Sequence, residues 1–238
     1  MRVLAVVRAT LPGLLIAALG MWVFAALLEG LLEKGDLYVV DQPVVDWLAA
    51  HRQPWLTGLL TAVTDTFGPV ILPVAVGVGG VVWGVVTGRW REPVLLVAAM
   101  AVSIKLALVL KTLVGRPRPA DSLQVVPGLE SSASFPSGHT TGAATLVLVL
   151  GYLMLRRRWS AHALLWWAVI SVVVVGTVAS SRLYLGYHFV TDVMAGACLG
   201  VVALGGVIVV DRWLDLWEGR AEQATRSAPA GLTPGESR

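Results

Sequence analysis

Residues 161–181 read AHALLWWAVISVVVVGTVASS, a stretch without a single Asp, Glu, Lys or Arg. A helix of about 20 apolar residues is long enough to cross the hydrocarbon core of a bilayer. The length of this run therefore predicts a membrane-spanning α-helix.

The rest of the chain supports a membrane protein. Of the 238 residues, 56% are hydrophobic and only 14% are charged, with a mean hydropathy of +0.76. Soluble domains carry about 25% charged residues. A soluble protein with an unusually apolar core is the alternative, but it would not need several runs of spanning length. The sequence predicts an all-α, polytopic membrane protein with six transmembrane helices at residues 9–32, 69–87, 93–113, 138–155, 161–181 and 189–210.

Three segments need separate interpretation. The first run is too long for a signal peptide and lacks a small-residue cleavage site, so we expect a retained helix. Residues 41–67 repeat apolar positions at helical spacing and include Trp47 and Trp55, which predicts an interfacial helical segment between the first and second spans. We expect residues 1–218 to form one domain and residues 219–238, small and polar, to be a disordered cytoplasmic tail.

The distribution of arginines predicts the orientation of the protein in the membrane. If six spans alternate, one side carries Arg2, Arg8, Arg89, Arg91, Arg156, Arg157, Arg158, Arg212 and Arg220. The opposite side carries Glu33, Asp36, Asp41, Asp46, Asp65, Asp121 and Glu130. Because basic residues are enriched on the cytoplasmic side of membrane proteins, we expect both termini to be cytoplasmic.

Several ionisable residues break this bias at the outer ends of the spans. They are Lys111, Arg116, Arg118, His139, Arg182, His188 and Asp192. Each alone could be a side chain that reaches the interface from a helix end. Alternation of the spans, however, brings all of them to the same outer face. Charge at a span's edge is costly unless it is paired or hydrated, so this cluster predicts an anion-processing site.

Phosphate is the anion that suits these residues. Arg118 and Arg182 offer planar forks of donors, and Lys111 adds a point charge. Ser137 and Gly138 precede or open the fourth span, where free N–H groups and the helix dipole favour an anion. Gly138 also allows a ligand to approach the backbone closely.

The two histidines suggest covalent chemistry. His188 and Asp192 are four residues apart, so Asp192 can orient the ring of His188 for attack on phosphorus. His139 would protonate the leaving alkoxide and later activate water. This scheme needs no metal or other cofactor, and no cluster of carboxylates in the sequence suggests a metal.

Three blocks of the sequence resemble those of the type 2 phosphatidic acid phosphatase family, which shares its site with the vanadium haloperoxidases. The first block is Lys111, then TLVGRP, then Arg118-Pro119. The second is Pro136-Ser137-Gly138-His139. The third is Ser181-Arg182, LYLGY, His188, FVT and Asp192. All fixed positions agree over residues 111–192, and three blocks in order are far more specific than any one of them.

The resemblance assigns the same roles to these residues. It implies that Lys111, Arg118, Ser137, Gly138 and Arg182 hold phosphate. His139 would be the general acid, His188 the nucleophile and Asp192 its orienting partner. Arg116 is not a fixed family position, and we expect it to bind lipid headgroups at most. Ser181 is fixed in the third block but is given no role.

The resemblance also implies a bacterial cytoplasmic-membrane enzyme, and the arginine bias predicts that its site faces outward. Its substrate would be a membrane lipid carrying a phosphate or pyrophosphate: polyprenyl pyrophosphate, phosphatidylglycerophosphate or phosphatidic acid. The outward site favours an undecaprenyl-like pyrophosphate slightly. A net charge of +3, dispersed along the chain, gives no reason to expect a nucleic-acid partner. The sequence leaves the oligomeric state open.

Other functions remain possible at this point. A phosphotransferase would use the same phosphoenzyme with a different acceptor. A haloperoxidase would bind vanadate in the same pocket, but those enzymes are soluble and much longer. A lipid transporter would place ionisable groups near the membrane midplane, whereas here they lie at one end of the spans.

Overall fold

The computed structural model describes residues 2–157 and 159–227, and within them the chain is helical with no β-strand. The α-helices are α1 (Arg2–Leu32), α2 (Asp36–Ala50), α3 (Pro54–Thr66), α4 (Ile71–Thr87), α5 (Arg91–Val114), α6 (Gly138–Leu155), α7 (Ala161–Tyr184) and α8 (Val190–Ser227). A short 3-10 helix, Asp121–Leu123, lies in the long link between α5 and α6. The all-α prediction is confirmed.

Five helices are individually long and apolar enough to cross a membrane: Leu4–Leu32, Arg91–Val114, Gly138–Leu155, Ala161–Tyr184 and Val190–Gly219. A sixth crossing needs α3 and α4 together, two helices joined by a 50° bend. The predicted second span, residues 69–87, is thus α4 alone, a helix of 17 residues. The bend falls at Gly68 and Pro69, where the sequence cannot continue a regular helix.

The predicted interfacial segment forms the two helices α2 and α3. Trp47 and Trp55 are 61% and 70% exposed, respectively. Exposed Trp side chains suit the headgroup region of a bilayer. A position of these helices at the membrane surface remains a prediction.

Helix α8 packs against α1, α5 and α6. Small residues allow these close approaches. A Cβ added at Gly205 of α8 would lie 2.5 Å from the carbonyl oxygen of Gly13 in α1, and one added at Gly200 would lie 2.4 Å from Cβ of Ala144 in α6. In lipid, such contacts supply the van der Waals attraction that holds helices together. The packing of α8 therefore fixes where its first turn lies.

Helix α8 also extends further than the sequence predicted. It continues to Ser227, so residues 219–227, which were predicted to be disordered, have helical backbone. This stretch contains Ala, Glu, Gln and Arg, which are good helix formers. The remainder of the predicted tail, residues 228–238, lies outside the described residues.

A network of charged side chains ties three helices together at the end of the bundle predicted to face the cytoplasm. Asp211 of α8 is buried and accepts a hydrogen bond of 2.7 Å from the Tyr152 hydroxyl. It also pairs with Arg156, and its Oδ1 lies 2.9 Å from Nη2 of Arg91. Arg156 in turn reaches Glu92 at 3.3 Å. The network links α5 and α8 to α6 and to Arg156, which follows α6 directly.

We expect Asp211→Asn to destabilise the protein by about 3 kcal/mol, because it leaves two partly buried arginines without their shared counter-charge. The measurement is the thermal unfolding midpoint in detergent. Asp215→Asn is the matched control: Asp215 also pairs with Arg91 but is 43% exposed, so its loss should cost less than about 1 kcal/mol. Equal effects of the two substitutions would show that the buried network does not stabilise the bundle.

Candidate active site

The predicted site residues lie at the end of the bundle opposite to the Asp211 network. Lys111 is in the last turn of α5, Arg182 in the last turn of α7, and Asp192 in the first turn of α8. Ser137 is the N-cap of α6, and His188 lies in the short link between α7 and α8. Arg118 belongs to the link between α5 and α6.

His188 and Asp192 form a buried pair. Nδ1 of His188 lies 3.3 Å from Oδ2 of Asp192, and both side chains are excluded from solvent. The same carboxylate oxygen accepts the backbone N–H of Phe189 at 2.9 Å. Asp192 thereby caps the start of its own helix, where backbone N–H groups lack partners. The local turn thus places the carboxylate against the His188 ring.

The opposite ring nitrogen of His188 faces a cation. Nη1 of Arg118 lies 3.3 Å from Nε2 of His188, and guanidinium groups can only donate. The contact therefore requires Nε2 to be unprotonated, and Nδ1 carries the hydrogen that faces Asp192. The Ser134 hydroxyl donates to Oδ2 of Asp192 and lies 3.3 Å from Nδ1 of His188. The network assigns a single tautomer, in which Nε2 keeps its lone pair.

Electrostatics favour the neutral form of this ring. Burial, and then the neighbouring cations Arg182, Arg118 and Lys111, hold the pKa of His188 well below its ordinary value. Protonation would place a further positive charge in a buried, cationic environment. His188 is therefore an unprotonated imidazole at neutral pH, which is the form that can act as a nucleophile.

Two arginines of the site share one carboxylate. Oε2 of Glu130 lies 2.7 Å from Nη2 of Arg118, and Oε1 pairs with Arg182. Burial raises the pKa of Glu130, but Arg182 and Arg118 outweigh burial and lower it to about 2. The Glu130 carboxylate is thus ionised, and it contacts the two guanidinium groups as two oxygens of a phosphate could.

Backbone carbonyl oxygens and one hydroxyl group accept hydrogen bonds from the three predicted phosphate-binding cations and hold them in place. Arg118 donates from Nε to the Ser132 carbonyl and from Nη1 to the Tyr187 carbonyl, each at 2.7 Å. Arg182 donates to the Thr64 hydroxyl at 2.8 Å. Lys111 donates to the carbonyl oxygens of Ala133 and Ser134. These contacts orient the cations before any ligand arrives.

The start of α6 offers further donors. The Ser137 side chain accepts from the backbone N–H of Thr140 at 3.5 Å and from its hydroxyl at 3.1 Å, which leaves its own O–H free to donate. A Cβ added at Gly138 would meet no atom within 4 Å, so there is open space beside this backbone. His139 follows and is only partly buried. In the described part of the chain its ring has no hydrogen bond, so it can contact a ligand.

Besides Thr64 and Ser132, four residues that contribute to this network were not predicted from the sequence as site residues. They are Asp41, Glu130, Ser134 and Thr191, which come from α2, the α5–α6 link and the start of α8. Their signal in the sequence was weak, because a single Asp, Glu, Ser or Thr outside the three blocks looks like any other polar residue. Their proximity to His188 or Asp192 depends on how distant segments pack.

The expectation that Arg116 binds lipid headgroups at most is corrected. Arg116 is only 7% exposed and contacts Asp192 at 2.6 Å and Asp41 at 2.7 Å. Both terminal nitrogens of the Arg116 guanidinium are already paired with carboxylates, so no pair of donors is left for a lipid phosphate. The sequence missed this because Arg116 follows a span end directly, where interfacial arginines are common.

Two cavities open beside Arg118. One of about 630 Å³ reaches Leu31 and Val39 at the α1–α2 junction, and the other, of about 450 Å³, is bordered by Glu130. The first has mainly apolar walls and the second mainly polar ones. Across residues 2–157 and 159–227, no group of three His, Cys, Asp or Glu is arranged to hold a metal ion.

Comparison with known proteins places this chain in a family. The PAP2 superfamily model matches residues 92–215. Phosphatidylglycerophosphatase B of Bacillus subtilis is 32% identical over 187 residues, which are 76% of this chain and 88% of that protein. Decaprenylphosphoryl-5-phosphoribose phosphatase of Mycobacterium tuberculosis is 34% identical over 122 residues, 51% of this chain and 61% of that protein.

Solved structures agree with the sequence comparison. The crystal structure of a transmembrane PAP2-type phosphatidylglycerolphosphate phosphatase from Bacillus subtilis superposes with a TM-score of 0.70 at 27% identity, covering 89% of this chain and 98% of that one. The structure of Aquifex aeolicus LpxE gives a TM-score of 0.55 at 25% identity, covering 72% and 95%. The chain therefore belongs to the PAP2 superfamily and is a phosphatase with membrane-spanning helices.

Proposed function

We propose that the protein hydrolyses a lipid phosphate or pyrophosphate through a phosphohistidine at His188. The observation that carries this proposal is the state of that ring: buried, neutral, held at Nδ1 by Asp192, and with its Nε2 lone pair facing Arg118. A nucleophile of this kind needs an orienting partner and nearby positive charge for the transferred group. Both are present.

The reaction would proceed in two displacements. Nε2 of His188 attacks phosphorus as the bond from phosphorus to the lipid oxygen breaks, and His139 gives that oxygen a proton. His139 then takes a proton from water, which attacks the phosphohistidine, and inorganic phosphate leaves as the P–N bond breaks. Arg118, Arg182 and Lys111 neutralise the phosphoryl oxygens in both steps, and the Ser137 hydroxyl with the first N–H groups of α6 adds donors.

The substrate class is a phosphate attached to a membrane lipid. The names of the two relatives described above cover a glycerophospholipid and a polyprenyl-linked sugar. Their shared chemistry is a phosphate monoester at the membrane surface. Phosphatidylglycerophosphatase B, whose match covers 76% of this chain, supports phosphatidylglycerophosphate, and the outward site predicted from the arginine bias supports a polyprenyl pyrophosphate. These two lipids are the substrates to compare first.

Phosphate release from detergent-purified protein tests the proposal. We expect release from phosphatidylglycerophosphate, polyprenyl pyrophosphate or phosphatidic acid to persist in excess chelator. It should fall at least about 1,000-fold in His188→Ala and about 100-fold or more in His139→Ala, because these variants lose the nucleophile and the general acid. His162→Ala is the matched control, since His162 is exposed at the other end of α7. Activity that survives His188→Ala would exclude the phosphohistidine mechanism.

Trapping distinguishes a phosphoenzyme from direct attack by water. With radiolabelled p-nitrophenyl phosphate the leaving group needs no proton, so His139→Ala should still form the phosphohistidine but hydrolyse it slowly. We expect acid-labile, base-stable label on His139→Ala protein, and none on the His139→Ala/His188→Ala double variant. Equal labelling of both variants would rule out His188 as the acceptor.

Glu130 provides a test of the anion site itself. Because its carboxylate holds Arg118 and Arg182, an incoming phosphate has to replace it. We expect Glu130→Gln to lower the inhibition constant of orthovanadate about tenfold, the effect of roughly 1.4 kcal/mol of lost competition. Glu33→Gln, a substitution at an exposed position after α1, is the control. A raised inhibition constant in Glu130→Gln would mean that Glu130 assists anion binding instead.

A further inference from the structure

Arg116 forms the centre of a buried cluster that the phosphate scheme does not use. Its Nη1 lies 2.6 Å from both Oδ1 of Asp192 and the Thr191 hydroxyl, and its Nη2 lies 2.7 Å from Oδ2 of Asp41. The guanidinium also packs over the Phe189 ring, 4.2 Å from its centroid. One planar group thus joins the catalytic aspartate to a carboxylate of α2.

Asp41 is fixed from two directions. It accepts the backbone N–H of Thr191 at 3.0 Å through Oδ1 and the Thr191 hydroxyl at 2.5 Å through Oδ2. Asp41 thus caps the first turn of α8 from a different helix. Because Thr191 and Asp192 are adjacent, α2 holds the turn that carries the catalytic carboxylate. Asp41 and Asp192 are both almost completely buried.

We propose that Arg116, held by Asp41 and Thr191, is a positioning residue that fixes Asp192 and sets the charge felt by His188, so that α2 is part of the catalytic unit. This inference rests on the proposed function of His188. Arg116 occupies Oδ1 of Asp192 and leaves Oδ2 for the His188 ring. Asp41 balances the charge of Arg116, so the cluster directs Asp192 without adding net positive charge beside the nucleophile.

The effect of the Arg116 charge on His188 distinguishes this positioning role from a role in packing alone. The charged or titratable groups around His188 are Lys111 of α5, Arg118 and Glu130 of the α5–α6 link, Arg182 of α7 and Asp192 of α8. His139 of α6 acts through Glu130, and Asp41 of α2 acts through Arg116. Substitutions at Arg116 and Asp41 leave all the others in place. Removing the positive charge of Arg116 makes the surroundings of His188 more negative and should favour its protonation.

The experiment is a pH titration of the four histidines by NMR in detergent, with ¹⁵N-labelled histidine and the His188 signals assigned through His188→Ala. We expect Arg116→Gln to shift the titration of His188 upward by about one pH unit. Arg116→Lys keeps the charge, and Asp41→Asn/Arg116→Gln removes one charge of each sign, so both should titrate as the wild type does. Loss of packing alone would affect Arg116→Lys and Arg116→Gln alike.

Kinetics supply the second readout. In Asp41→Asn/Arg116→Gln we expect kcat to fall about tenfold while KM stays within about threefold, because Arg116 orients Asp192 and does not touch phosphate. This double variant removes one charge of each sign, so it stays closer to the wild-type charge balance than Arg116→Gln and decides the question if Arg116→Gln fails to fold. An unchanged kcat in the double variant, or an unshifted His188 in folded Arg116→Gln, would overturn the proposal.

The two proposals fail in different ways. Wild-type protein that releases no phosphate from any lipid would defeat the proposed hydrolysis, whereas the NMR titration would still report on the Arg116 cluster. Active wild-type protein with His188 insensitive to Arg116 would defeat only the positioning role. Asp211→Asn is the matched control for lost buried charge: Asp211 lies at the opposite end of the bundle, so its substitution should leave the His188 titration unchanged.

Discussion

The site depends on one buried carboxylate at the start of α8. Asp192 accepts from Arg116 through Oδ1, and from the Ser134 hydroxyl, the Phe189 N–H and the His188 ring through Oδ2. A carboxylate fully removed from water is unfavourable unless its lone pairs are satisfied. These donors come from two separate links, α5–α6 and α7–α8, so satisfying the charge of Asp192 also assembles the site.

The two ends of the bundle use buried charge differently. Around Asp211 the ions pair with one another and join α5 and α8 to the end of α6. Around His188, Arg118 and Arg182 pair with Glu130, while Lys111 is held by backbone carbonyls. Excess positive charge beside a cavity can bind an anionic ligand. Ions that are fully paired with one another, as around Asp211, stabilise the packing of the helices. The close approach of α8 to α1 and α6 through small residues holds both ends in register.

The lengths of the apolar segments predicted most of the membrane-spanning helices, because the bilayer imposes a minimum length on every spanning helix. The exception was the second span, where Gly68 and Pro69 divide the apolar stretch into α3 and α4. The four-residue spacing of His188 and Asp192 predicted that their side chains would meet, although His188 lies in the link before α8, and the alternation of spans brought Lys111 and Arg182 to the same end. The pairing of Glu130 with two arginines could not be predicted, because the conformation of the long α5–α6 link depends on contacts with other helices.

The sequence by itself determined the helical membrane architecture, the family resemblance and the residues proposed to bind phosphate, because these follow from local composition and fixed spacing. Only the tertiary structure decided which nitrogen of His188 keeps its lone pair, that Glu130 contacts Arg118 and Arg182, and that Arg116 joins Asp41 to Asp192. Asp41 and Thr191 are 150 positions apart along the chain. Contacts of that separation arise from helix packing, which local sequence patterns do not encode.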